Sequence, residues 1–104
     1  MALAAEPFAE LVDSPGVTLI DVRTLAEFAS GHIADAINID FQSADFSSRV
    51  AALPADGRYA LYCRSGNRSG QARTQMLGSG FTHVSDLAGG IGAWTAAGKP
   101  LVNG

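Results

Sequence analysis

Apolar and polar positions follow two alternating rhythms along this chain. Short continuous apolar runs bounded by Gly, Pro or polar residues have the pattern of strands buried on both faces. Val17–Val22, Ala36–Ile39, Tyr59–Cys63 and Val84–Leu87 have this form. Between them lie segments with apolar residues three or four apart, the spacing of one helix face. Phe8–Val12 belongs to a short helix ended by Ser14-Pro15-Gly16, and Leu25–Ala29 is a second, stopped by Gly31. Ser43–Leu53 places Phe46, Val50 and Leu53 on one stripe and is closed by Pro54 and Gly57. Ser69–Leu77 turns Ala72 and Met76 inward and Gln71, Arg73 and Gln75 outward, with Gly78 and Gly80 as its stop. Ile91–Ala97 is the last helix, followed by Gly98 and Pro100.

Strands alternating with helices imply βαβ units. The expected fold is α/β, with a mostly parallel sheet covered by helices on both faces. Ligands in such folds bind outside the carboxyl ends of the strands. That rule selects the loops after Val22, Ile39, Cys63 and Leu87. The 104 residues contain no internal repeat and no linker, so the expectation is one domain over residues 1–104.

Composition narrows the function classes. Hydrophobic residues make up 47% and charged residues 16%, values of a folded chain and not of a disordered one. The net charge of −3 and the lack of a Lys/Arg run argue against a nucleic-acid partner. Lys99 is the one lysine, yet Arg64, Arg68 and Arg73 crowd together in this acidic chain. Cys63 is the one cysteine, which excludes an intrachain disulfide and a CxxC pair. No apolar run reaches membrane-spanning length, and Met1–Phe8 lacks the regions of a signal peptide. A cytoplasmic protein without a membrane partner is expected, as a monomer. Without a metal-ligand cluster, no metal or cofactor is expected either.

The chemistry concentrates in Tyr62-Cys63-Arg64-Ser65-Gly66-Asn67-Arg68-Ser69. A buried strand ends at Cys63 and a helix begins near Ser69, with five residues turning between them. Gly66 frees the backbone to curl, and Asn67 tolerates unusual dihedrals. Successive N–H groups of such a loop can converge on one anion, and the helix N-terminus adds its own. Arg64 and Arg68 add positive charge. A free thiol titrates near 8.5, so about 3% is thiolate at pH 7. Helix N-termini and cations bring cysteines to roughly 3.5–7.5. A lone cysteine at a strand end is more often a small buried hydrophobe. The loop, its glycine and its arginines turn the reading toward a nucleophilic thiolate.

These residues resemble a known family. Asp21-Val22-Arg23, then Glu27-Phe28, Gly31-His32-Ile33 and Ala36-Ile37-Asn38-Ile39 are similar to the first blocks of rhodanese homology domains. Cys63-Arg64-Ser65-Gly66-Asn67-Arg68-Ser69 resembles their active-site loop. Leu87-Ala88-Gly89-Gly90-Ile91, Ala93-Trp94 and Gly98-Lys99-Pro100-Leu101 resemble their C-terminal block. The resemblance implies a five-stranded sheet, the fifth a very short edge strand near Ala4-Ala5-Glu6. It implies that Cys63 takes a sulfane sulfur from a small anionic donor such as thiosulfate, as a persulfide. The sulfur then passes to cyanide or a thiol acceptor, such as a thioredoxin-like protein. Loop N–H groups over Arg64, Ser65, Gly66, Asn67, Arg68 and Ser69 would hold the persulfide. Arg64 would bind the anionic donor, and Arg68 would order the loop or add to its field. Ala34-Asp35 stands where the family often has Pro-Gly, and Asp40 where Pro is common. Both are read as local loop changes.

Other polar residues are read as structural. Asp21 is expected to cap neighbouring backbone and Arg23 to pair with Glu27 at helical spacing. His32 sits in a turn outside the Cys63 loop, and His83 is expected at the surface. Trp94 is expected to pack beside Gly89-Gly90, whose spacing lacks the rest of a phosphate-loop pattern. Two rival functions use the same features. A phosphatase or arsenate reductase of this fold also cradles a thiolate, but five residues separate its Cys and Arg; here four lie between Cys63 and Arg68. A non-catalytic binding module would have no need of the cysteine and both arginines.

Overall fold

A computed structural model describes residues 1–103. In chain order the elements are β1 (Ala2–Leu3), α1 (Ala5–Val12), β2 (Val17–Asp21), α2 (Leu25–Ala29) and β3 (Ile37–Asn38). They continue with α3 (Phe46–Ala51), β4 (Arg58–Tyr62), α4 (Asn67–Gly78), β5 (His83–Leu87) and α5 (Gly90–Ala96). The strands form one five-stranded sheet in the order β1-β5-β4-β2-β3, and every pairing is parallel. β4 is central: Val17–Asp21 runs in register with Arg58–Tyr62 on one side, and His83–Asp86 with Arg58–Leu61 on the other.

The continuous apolar run of β4 is explained by the two cores it separates. Tyr59, Leu61 and then Cys63 pack with Phe46, Val50, Ala72 and Met76 of α3 and α4. Ala60 and Tyr62 point the other way, toward Phe8 of α1, Trp94 near the end of α5, Ile33 and Leu87. A period of two with both faces covered leaves no position for a polar residue. Each large apolar side chain buried this way contributes about 1.5–3 kcal/mol.

The sheet edge differs from the expectation. The edge strand is Ala2–Leu3, paired with Asp86–Leu87, and not Ala4-Ala5-Glu6. Ala5 and Glu6 open α1 instead. Ala is the best helix former, a glutamate suits the positive end of the helix, and Pro7 is tolerated in the first turn. Helix α3 is also shorter than Ser43–Leu53. Ser43 and Asp45 are tied by side-chain bonds to each other and Asp45 takes the N-cap position, so the helix starts at Phe46. Leu53 still packs against the core from beyond its end. Helix α4 starts two residues earlier than expected, at Asn67, because Gly66 at φ 98° turns the chain in one step. Arg73 is not an outward residue: its guanidinium reaches Asp86 at 2.5 Å. Asp35 adopts φ 71°, the single positive φ at a non-glycine among the described residues. It thus holds a left-handed turn position that glycine fills without strain.

Candidate active site

Cys63 lies one residue beyond the carboxyl end of the central strand, and its side chain is fully buried. Three contacts from two elements pin the backbone around it. The Val22 N–H donates to the Tyr62 carbonyl at 3.0 Å, from the end of β2. The Ile91 N–H in α5 donates to the Cys63 carbonyl at 2.8 Å. Gly90 lies so close that an added Cβ would sit 2.6 Å from the Cys63 carbonyl oxygen and closer still to that of Arg64. The Gly89-Gly90 pair is therefore a packing device that lets α5 press on the loop.

The turn itself is tight. Only Arg64, Ser65 and Gly66 separate Cys63 from α4. Left-handed Gly66 aims its N–H at Cys63 Sγ, 3.0 Å away. Burial pushes the Cys63 thiol up, but hydrogen bonds outweigh it and the net direction is down. The bonds come from the Ser69 hydroxyl and from the backbone N–H groups of Ser69, Gly66 and Ser65. The lowering arises from converging donors, as expected for a sulfur anion held in a nest.

The two arginines of the loop have different surroundings. Arg68 makes a two-pronged pair with Glu27, Nη1 to Oε1 at 2.8 Å and Nη2 to Oε2 at 3.0 Å. Glu27 in turn accepts from the Thr24 N–H and hydroxyl, each at 3.0 Å, while its own N–H donates to Thr24 Oγ1 at 3.2 Å. This is a capping box at the start of α2. Pairing with Arg68 pulls the Glu27 carboxyl down to about 2, against burial and with help from Thr24. Arg64, by contrast, is exposed and makes no ion pair among the described residues. Asn67 is exposed in the first turn of α4, where its side-chain oxygen accepts from Gln71 at 2.7 Å. Ser65 is exposed and Ser69 fully buried.

The expected Arg23–Glu27 pair does not form. Arg23 folds back on Asp21, with Nη2 to Oδ2 at 2.6 Å and Nε within 3.0 Å of both carboxylate oxygens. It also donates to the Gly31 carbonyl at 2.7 Å and lies over the Tyr62 ring at 5.6 Å. Asp21 has no exposed surface, so it needs a charge partner at hand. Glu27 is already engaged by Thr24 and Arg68. The pair is structural, as is His32, which is buried, stacked on Phe28 at 3.8 Å and hydrogen-bonded to its carbonyl through Nδ1. Trp94 packs edge-on to Phe8 and donates Nε1–H to the Pro100 carbonyl, and His83 is exposed.

Sequence reasoning missed two residues that act on the loop. The role of Glu27 was signalled by Thr24 three positions before it, the spacing of a capping box at a helix start. Asp86 was signalled only by being a carboxylate in an otherwise strand-like run. It is 2% exposed and carries both Arg73 and the Ser69 hydroxyl, the latter at 3.3 Å.

Comparison with known proteins agrees with this geometry. A family model described as a rhodanese-like domain matches residues 4–97. The chain is 40% identical over 92 residues to a protein of Allochromatium vinosum named sulfurtransferase, covering 88% of this chain and 84% of the relative. It is 36% identical over 95 residues to thiosulfate sulfurtransferase 16, chloroplastic, of Arabidopsis thaliana, covering 82% and 79%. The crystal structure of a rhodanese-related protein from Thermoplasma volcanium superimposes with a TM-score of 0.85 at 32% identity, over 97% of this chain and 96% of that one. No helix is long and apolar enough to cross a membrane among the described residues. A central-strand cysteine facing a tight amide nest, in a chain matched by this family almost end to end, leads to one assignment: the protein belongs to the rhodanese-like domain family.

Proposed function

We propose that the protein is a sulfurtransferase in which Cys63 carries a sulfane sulfur as a persulfide. One observation carries the reading: the Cys63 sulfur accepts the Gly66 N–H at 3.0 Å inside a loop whose donors favour its anion. In the loading step the thiolate attacks the outer sulfur of a donor such as thiosulfate. The S–S bond of the donor breaks, sulfite leaves with the electron pair, and Cys63 becomes a persulfide anion. In the unloading step cyanide or a thiolate acceptor attacks the outer sulfur, and Cys63 leaves as a thiolate. Each step exchanges one bond to sulfur for another, so no cofactor is required. The relatives named sulfurtransferase and thiosulfate sulfurtransferase support the same chemistry.

Within this reading Arg64 binds the anionic donor, since it is the loop cation without a carboxylate partner among the described residues. Arg68 orders the loop through Glu27. The N–H groups over Ser65, Gly66 and Ser69 hold the anionic sulfur. A phosphatase of this fold places five residues between its Cys and Arg; the four between Cys63 and Arg68, and the engagement of Arg68 by Glu27, speak for sulfur transfer instead. The acceptor is a small nucleophile or the exposed thiol of a thioredoxin-like protein. A reducing cytoplasm suits a catalytic thiol of this kind.

The test is an intact mass spectrum after incubation with thiosulfate and then cyanide. The expected result is one added sulfur on the native protein, lost on adding cyanide as thiocyanate appears, and no adduct on Cys63→Ser. Absence of any adduct with thiosulfate, polysulfide or mercaptopyruvate would refute the persulfide reading.

A further inference from the structure

Ser69 is the point at which the polar network of the loop enters the core. Its side chain is fully buried in the first turn of α4 and carries a single hydroxyl proton. Two acceptors lie within reach of that proton, the Gly66 carbonyl at 3.4 Å and Asp86 Oδ2 at 3.3 Å. The Cys63 sulfur is the third claimant once it is an anion, since the Ser69 hydroxyl is among the groups that draw its thiol down. Asp86 stands on β5, next to the central strand, and is almost entirely buried. Its other oxygen, Oδ1, is held by Arg73 Nη1 at 2.5 Å, one turn along α4 from Ser69. The charged groups around Asp86 are thus Arg73 from α4, the amino terminus at Met1 beside β1, and, through Ser69, the Cys63 sulfur at the end of β4.

We propose that Asp86 is a positioning residue for the sulfur chemistry: it competes with the Cys63 sulfur for the Ser69 hydroxyl proton and so limits how firmly the loop holds anionic sulfur, while Arg73 sets how strongly it competes. The proposal rests on the reading of Cys63 as the sulfur carrier. With a neutral thiol, the hydroxyl donates to the Asp86 carboxylate and offers a lone pair to the S–H. When Cys63 ionises, its proton leaves to solvent and the hydroxyl turns to the sulfur, giving up Asp86. That exchange draws on the charge-assisted bond to Asp86, so the thiolate is held less tightly than the loop donors alone would hold it.

The arrangement has a consequence for turnover. A thiolate that is stabilised too far is a weaker nucleophile but a better leaving group, with nucleophilicity falling as a fractional power of basicity. Asp86 therefore favours loading of Cys63 and restrains unloading. Asp86→Asn reverses the bias in two ways. The amide can donate to Ser69 Oγ and drive the hydroxyl proton to the sulfur, and Arg73 loses its carboxylate. Arg73→Gln acts in the opposite sense, leaving the Asp86 charge uncompensated.

The experiment is the pH dependence of Cys63 alkylation by iodoacetamide, followed by mass on the full chain. The small reagent suits a buried sulfur, and no sulfur donor is involved. Failure of the sulfurtransferase reading shows instead as a missing thiosulfate adduct on native protein, so the two failures are distinguishable. Asp86→Asn should lower the alkylation midpoint by about half to one pH unit, and Arg73→Gln should raise it by a similar amount. In a Ser69→Ala background the Asp86→Asn shift should shrink to less than half. An unchanged or raised midpoint in folded Asp86→Asn overturns the proposal. So does a shift undiminished in Ser69→Ala, which would make Asp86 a bare charge. Should Asp86→Asn not fold, Arg73→Gln decides, because the position is 25% exposed and the glutamine amide can still donate an N–H toward the buried carboxylate; an unmoved midpoint there is again refutation.

Discussion

Replacing Glu27 with Gln removes one charge from the contact that ties α2 to the active-site loop. The side chain keeps its size and sits 28% exposed against Arg68 at 19%. In the folded protein the carboxyl is drawn from 4.5 to about 2, chiefly by Arg68. Taken at face value that difference corresponds to about 3 kcal/mol of stability at neutral pH. Solvent screening of a partly exposed pair reduces it, and the expected cost of Glu27→Gln is about 1–2 kcal/mol. Because the folded value is depressed, this stability is fully present above the unfolded value of 4.5 and is lost as pH falls from there through about 2. The gap between native and Glu27→Gln proteins should therefore be constant from pH 7 to pH 6 and shrink by more than half by about pH 3. Other carboxylates titrate alike in both proteins and cancel in the difference. Urea unfolding followed by the fluorescence of Trp94 at pH 7, 5 and 3 measures the gap. A gap that stays flat down to pH 3, or no gap at pH 7, would refute the view that Arg68 and Glu27 form a stabilising tie.

Three further outcomes follow from particular contacts. Gly90→Ala places a Cβ against the Cys63 and Arg64 carbonyls at a φ of 62°, so it should cost about 2 kcal/mol or more, whereas Gly92→Ala meets open space and should stay within about 0.5 kcal/mol in the same urea assay. Arg64→Ala should raise KM for thiosulfate several-fold with unchanged thermal midpoint, since the side chain is exposed and unpaired among the described residues; an unchanged KM would remove Arg64 from donor binding. Tyr62→Phe strips the Ile33 N–H of its acceptor, now 3.0 Å away in a buried setting, and should cost about 1–3 kcal/mol by thermal or urea unfolding.

The fold and the site were legible to different degrees, for physical reasons. The buried strands and the main helices carry their pattern in consecutive side chains, so Val17–Val22 and Tyr59–Cys63 could be read directly. The edge strand could not. Ala2–Leu3 has two residues, and its pairing is backbone to backbone: the Ala88 N–H reaches the Leu3 carbonyl at 2.7 Å whatever the side chains are. Cys63 and its loop were legible because glycine, cysteine and arginine leave a local signature. The partners of the arginines were not, because they come from distant turns. Arg68 finds Glu27 from 41 positions away, and Arg73 finds Asp86 across 13. Arg23 deceived for the converse reason. Helical spacing suggested Glu27, but the fully buried carboxylate two residues back had the stronger demand.

These pairings change what the cluster of arginines means. Its positive charge looked like a field assembled for an anion. In the folded protein Arg68 and Arg73 each face a carboxylate, and both ion pairs lead back to the loop: Glu27–Arg68 fixes the start of α4, and Arg73–Asp86 sets the acceptor behind Ser69. Of the three, Arg64 alone has no carboxylate partner among the described residues, and in the proposed function it would meet the donor at the surface. The anionic sulfur itself is then held by dipoles, namely the N–H groups of Ser65, Gly66 and Ser69 and the Ser69 hydroxyl. Under the proposed function Cys63 would alternate between thiolate and persulfide, and fixed dipoles at contact distance would suit it, since both are single anions on sulfur and the nest would serve each without rearranging charge. Salt should consequently weaken capture of a charged donor through exposed Arg64 more than it affects the ionisation of buried Cys63. Measuring KM for thiosulfate and the alkylation midpoint of Cys63 at low and high ionic strength separates the two. A midpoint that moves with salt as steeply as KM would mean that exposed charge, and not the nest, holds the sulfur.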